Sequence, residues 1–202
     1  MSLMQFLLSI LIRAFHHVHL ACSHCYAKFV FGSVGNNSIV IKPLRIIGGK
    51  NIVIGDDVTI LNNARLETVS YYAGEKYCGK LLIGSGTSIE QNCHIIAADE
   101  LSIGNNCMIS SYVYIADCNH RYIIGETFRQ SGLEILNTRV GDNVFIGIGA
   151  RIMPGVKIGN NCVIGANSVV TKDVLDFSMV AGVPARVIKW YNFETNNWET
   201  LR

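Results

Sequence analysis

From residue 140 to residue 174 an aliphatic side chain returns at every sixth position: Val140, Ile146, Ile152, Ile158, Ile164 and Val170 keep one register without a miss. Four positions after each stands a small or β-branched residue, namely Val144, Ala150, Val156, Cys162, Ser168 and Val174. Three positions after each stands Asn143, Gly149, Gly155, Asn161, Asn167 or Asp173, residue types that tolerate a left-handed backbone. A six-residue unit of short strand and tight turn cannot bury its apolar side alone. The pattern therefore predicts copies stacked on one another, a coiled β-solenoid.

Upstream the same unit recurs with interruptions. The stretches 52–58, 81–87, 101–107 and 138–144 each place Gly after an aliphatic residue, at Ile54-Gly55, Ile83-Gly84, Ile103-Gly104 and Val140-Gly141, and each opens a new coil. With three hexads to a turn, 140 to 158 is one turn without excess, while 83 to 103 carries two extra residues, 54 to 83 eleven and 103 to 140 nineteen. The two large excesses must leave the coil as loops, over about 68–79 and 117–137. Insertions of this kind project from one corner and build a binding face. The repeat begins near Ile39 and gives roughly seven coils.

Residues 1–38 differ in character from the repeats. Phe6, Leu7, Leu8, Ile10, Leu11, Ile12, Phe15 and Val18 make an apolar start broken by Arg13 and by histidines. The run falls well short of the roughly 20 residues that a membrane span requires. It predicts a helical segment that covers the open end of the first coil or lies along a membrane surface. The expected organisation is an N-terminal segment 1–38, a repeat domain 39–188 and a tail 189–202.

Composition narrows the function classes. Of 202 residues 50% are hydrophobic and 16% charged, the net charge is +2, and no Lys/Arg run is present, so a nucleic-acid partner has no electrostatic footprint. The seven cysteines come without a signal-peptide pattern and are expected as reduced thiols of a cytoplasmic protein, at most peripheral to the inner membrane face. Cys93, Cys107 and Cys162 occupy the small corner position of a repeat. Cys22 and Cys25 lie near His16, His17, His19 and His24 but lack the second ligand pair of a zinc site, so no metal is expected.

Two histidines fall in the coils, His94 and His120, each five residues after an inward aliphatic, Ile89 and Ile115, and so outward-facing. His120 begins the longer loop within Asp117-Cys118-Asn119-His120-Arg121-Tyr122. A near-neutral imidazole is suited to taking a proton from an alcohol.

The segments Ile158-Gly159-Asn160-Asn161-Cys162-Val163 and Ile164-Gly165-Ala166-Asn167-Ser168-Val169 resemble the hexapeptide repeats of acyltransferases. Val180-Ala181-Gly182-Val183-Pro184-Ala185-Arg186-Val187-Ile188 is similar to that family's closing segment. The likeness runs from about Ile46 to Ile188 and is greatest to galactoside, maltose and capsule or lipopolysaccharide O-acetyltransferases. It implies an all-β fold, a left-handed parallel β-helix, and transfer of acetyl from acetyl-CoA to a sugar hydroxyl in surface polysaccharide biosynthesis. In that family a histidine before the protruding loop, often in an Asp-x-Asn-His context, is the base, which here points to His120 with Asp117 and Asn119. The oxyanion donor falls on the backbone of Gly147 or Ile148, and contacts to CoA on Ala166, Thr171, Lys172 and Arg186. Acceptor contacts fall on Glu90 and Asn92, and on Phe145, where sugar-acetylating relatives often carry Trp. The family also implies homotrimers with active sites between subunits. Open beside this are N-acetylation of an amino sugar, a γ-carbonic anhydrase, which needs three zinc-binding histidines, and a non-catalytic solenoid.

Overall fold

The computed structural model describes residues 22–127 and 129–200. The chain visits three parallel sheets in turn. The first holds Ser33–Val34, Ile52–Ile54, Lys80–Ile83, Glu100–Ile103, Arg139–Val140 and Lys157–Ile158. The second begins with Ile39–Val40, Thr59–Ile60, Ser88–Ile89, Met108–Ile109, Phe145–Ile146 and Val163–Ile164. The third holds Arg45–Ile47, Arg65–Thr68, His94–Ala97, Tyr114–Ala116, Arg151–Ile152 and Val169–Val170.

Register carries the periodicity directly into the core. Ile54, Ile83, Ile103, Val140 and Ile158 pair in a column on the first sheet. Ile60, Ile89, Ile109, Ile146 and Ile164 do so on the second, and Leu66, Ile95, Ile115, Ile152 and Val170 on the third. All fifteen are buried. Burying each such side chain contributes about 1.5–3 kcal/mol, and a single coil would leave them in water, so the stack is stable only as a whole.

The turns match the predicted chemistry with one exception. Asn143, Gly149, Gly155, Asn161 and Asn167 have positive φ, but Asp173 does not. Its carboxylate instead accepts the backbone N–H of Lys157 at 2.8 Å. At the corner between the first and second sheets, Asn105, Asp142, Asn160 and Asp176 form a ladder. Each of the last three accepts, through its side-chain oxygen, the backbone N–H of the residue one coil earlier, at 2.7 to 2.8 Å.

Both ends differ from the expected division. The parallel stack already includes Ser33–Val34, ahead of residue 39. Residues 22–30 are helical, and Ala27 and Phe31 bury against the first coil. Ser23 Oγ donates to Val40 O at 2.7 Å and accepts from Val40 N at 3.0 Å, which satisfies backbone groups on an open strand edge. The apolar run at 6–18 lies outside the described residues, and no described helix is long and apolar enough to cross a membrane. At the other end Ser178–Gly182 joins the second sheet in parallel. Ala185–Asn192 and Asn197–Thr200 then extend that sheet antiparallel, so the tail is a hairpin. The chain therefore makes six full circuits among the described residues rather than about seven.

Candidate active site

The two excesses of sequence length emerge as paired arms. The first contains the hairpin Tyr71–Tyr72 with Glu75–Lys76, and the second pairs Cys118–His120 antiparallel with Leu133–Ile135, setting His120 opposite Leu133. Both leave the third sheet at the end of its strands. Leu133, Cys118 and Ala98 bury together against Val69, Tyr72, Tyr77, Ile96 and Ile135 in a small apolar cluster of their own.

Asp117 anchors the second arm. It is completely buried, and its carboxylate accepts the N–H of Ala98 at 2.7 Å and of Asp99 at 2.9 Å. Both oxygens are thus committed to the neighbouring coil, and the residue fixes where the arm departs. Burial holds its carboxyl above the usual carboxylate range, against the pull of those two donors. Next to it, burial and then the Asp117 charge push the Cys118 thiol up to about 12, far from thiolate chemistry at neutral pH.

A charged clasp joins the arms. Arg121 forks onto Glu75, with Nη1 to Oε1 at 3.0 Å, and its Nε donates to Leu133 O at 3.0 Å. Tyr77 donates to Glu75 Oε2 at 2.8 Å and accepts from the Leu133 N–H at 2.7 Å. The clasp keeps Glu75 below the usual carboxylate range, first through Tyr77 and then through Arg121. Because Arg121 is the next residue after His120 and Leu133 pairs opposite it, the clasp fixes the backbone that carries His120. Arg121→Ala is expected to loosen this arm, and faster backbone hydrogen exchange at Asn119 and His120, with the coil strands unchanged, checks it.

His120 is exposed at the lip of a cleft of about 490 Å³, its ring 5.2 Å from that of Tyr72 at an interplanar angle of 56°. Asn119 shares the cleft. Its floor is the outer face of the third sheet, where Arg45, Arg65, Glu67, Ile96 and Tyr114 stand. His94 lies on the same face, half-buried, with its ring 5.5 Å from Tyr114 and its Nε2 buried without a hydrogen-bond partner among the described residues. Burial, then Arg65, holds it below the usual histidine range, which favours neutral imidazole. Among the described residues no group of three His, Cys, Asp or Glu is placed to hold a metal ion.

The remaining sequence candidates stand elsewhere. Glu90, Asn92, Gly147, Ile148 and Ala166 line the corner between the second and third sheets, one coil above another, as the hydrogen bonds Glu90 N to Ile109 O and Gly147 N to Ile164 O record. A Cβ on Gly147 would meet Ala166 N at 2.7 Å, so that corner is close-packed backbone. Phe145 lies on the outer face of the second sheet in a groove of about 480 Å³ with Met108, Val163, Tyr191 and Trp198. Thr171 and Lys172 are exposed where the last strand of the third sheet ends, and Arg186 is exposed on the C-terminal hairpin. In one chain, then, His120 and the Gly147 corner mark opposite ends of the third sheet's strands, and no described cleft contains both.

The family model "Bacterial transferase hexapeptide (six repeats)" matches residues 137–172. An Escherichia coli K12 protein named for O-acetyl transfer in lipopolysaccharide biosynthesis, WbbJ, is 33% identical over 177 residues, covering 81% of this chain and 84% of the relative. The chain belongs to the hexapeptide-repeat acyltransferases. This acyltransferase also resembles the hexapeptide-repeat acetyltransferase VCA0836 of Vibrio cholerae, solved with acetyl-CoA, at 25% identity and TM-score 0.61 over 85% of this chain and 78% of the other. Its fold matches AntD, an N-acyltransferase of Bacillus cereus solved with dTDP and 3-hydroxybutyryl-CoA, at 24% identity and TM-score 0.68 over 83% and 87%.

Sequence reasoning assigned no role to Tyr72, Glu75, Tyr77, Arg121 or the floor residues Arg45, Arg65, Glu67 and Tyr114. The floor was detectable, since Arg45, Arg65, His94 and Tyr114 hold one outward register on the third sheet. The clasp was not, because it joins residues 46 apart across two aperiodic loops.

Proposed function

We propose that this acyltransferase moves the acetyl group of acetyl-CoA onto a hydroxyl of a saccharide, with His120 as general base. The observation that carries the reading is the exposed cleft in which His120, on a strand held by the Asp117 anchor and the Arg121 clasp, overlooks a polar, aromatic-edged floor. WbbJ, which covers 81% of this chain, is named for O-acetyl transfer in lipopolysaccharide biosynthesis. A ring nitrogen of His120 takes the hydroxyl proton as the acceptor oxygen bonds to the thioester carbon, and returns it to the departing thiolate, so the enzyme ends unchanged. The CoA partner would lie along the Gly147–Ala166 corner, where the Gly147 N–H is engaged by Ile164 O at 2.8 Å and the neighbouring Ile148 N–H is the donor for the developing oxyanion. Lys172 and Arg186 are exposed cations suited to its phosphates.

In this reading the coil is left-handed and the enzyme is a homotrimer. The separation of His120 from the Gly147 corner supports the trimer, because a three-fold arrangement can bring one chain's arm to the next chain's corner. Thiol release from acetyl-CoA is expected with hydroxyl-bearing saccharides and should be acceptor-dependent. Release with amino sugars only would replace O-transfer by N-transfer.

A further inference from the structure

The floor of the His120 cleft carries more positive charge than its own hydrogen bonding needs. Arg45 and Arg65 are register partners on adjacent coils, and Glu67 stands beside them. Glu67 accepts Arg65 Nε on Oε1 at 2.7 Å and Arg65 Nη2 on Oε2 at 2.8 Å, a complete two-point pair. Arg45 Nε is 3.4 Å from the same Oε1, a looser contact. The side chain of Glu67 is 8% exposed, that of Arg65 37% and that of Arg45 59%, so the carboxylate sits beneath and the guanidinium groups face the cleft. One carboxylate and two guanidinium groups leave one positive charge in excess. Among the described residues the Arg45 side chain makes no hydrogen bond, and its contact with Glu67 is an ion pair alone. A second arginine is superfluous for neutralising Glu67, since Arg65 already does so in the stronger geometry.

We infer that Arg45, steadied by Glu67 and Arg65, binds an anionic group, a carboxylate or a phosphate, on the saccharide acceptor. The inference rests on the reading of this cleft as the acceptor site, and it narrows the acceptor from saccharides at large to acidic ones. A planar guanidinium fork matches both oxyanions. Tyr71 and Tyr72 also line the cleft, the ring of Tyr72 5.2 Å from that of His120, and offer aromatic faces to a sugar.

The test is a ligand-observed NMR titration of the full chain with methyl glucoside, glucuronate and glucose 1-phosphate at low salt. At least one anionic probe should bind roughly ten-fold more tightly than the neutral one. Arg45→Gln should abolish that advantage, and His120→Ala should preserve it. The probe that shows the advantage identifies the anion as carboxylate or phosphate. Equal affinities in the wild type, or an advantage that survives Arg45→Gln, overturns the inference. Acceptor-dependent thiol release is measured separately. Its absence beside an intact anion preference would count against acetyl transfer and leave the binding inference standing.

Discussion

His120→Ala is expected to fold as the wild type does and to lose turnover by about 10²- to 10⁴-fold, the range that general acid–base catalysis supplies. The structure separates the two effects. His120 is exposed, and its strand is held by backbone pairing to Leu133–Ile135 and by the Asp117 carboxylate, neither of which involves the imidazole. Circular dichroism and thermal unfolding should therefore be unchanged while acetyl-CoA consumption falls by that factor. Asp117→Ala should lower both stability and turnover. Removing it leaves two N–H groups of the preceding coil without their acceptors, so stability falls together with activity. Wild-type turnover by His120→Ala would remove the residue from the mechanism. Equal loss of stability in the two variants would mean that His120 acts structurally.

The coil could be read from the sequence because its period is a backbone property. Inward positions are set by stacking, and each aliphatic from Val140 to Val170 lies where counting in sixes puts it. The arms could be located as excess length but not drawn, since their fold depends on the Arg121 fork and on Tyr77 donating to Glu75, contacts with no periodic trace. Asp117 illustrates a related limit. Its place two residues before Asn119 fits the motif, yet the coil geometry turns its oxygens onto Ala98 and Asp99 rather than toward the imidazole. The residue type of Asp173 predicts a left-handed turn, but a neighbouring N–H offers its carboxylate a better use. Position in the repeat is thus encoded locally, whereas the use of a polar side chain depends on which coil lies next to it.

Two inactive chains should rescue each other. If the proposed site is shared between subunits, a chain with His120→Ala keeps a sound cofactor corner, and a chain with Ala166→Trp keeps a sound base. Ala166 is exposed, so the indole can be accommodated by its own coil while it fills the corner where the cofactor is proposed to lie. In randomly mixed trimers a functional site needs the His120-bearing chain beside the chain with the open corner, which occurs at about a quarter of interfaces. Mixed by co-expression, the pair should recover roughly that share of wild-type activity. Each variant alone should give almost none, and light scattering should report the same assembly in all samples. Activity no greater than the sum of the separate variants would place base and corner within a single chain. That outcome conflicts with their positions at opposite ends of the third sheet's strands, which is the geometric reason for expecting the site to require two copies.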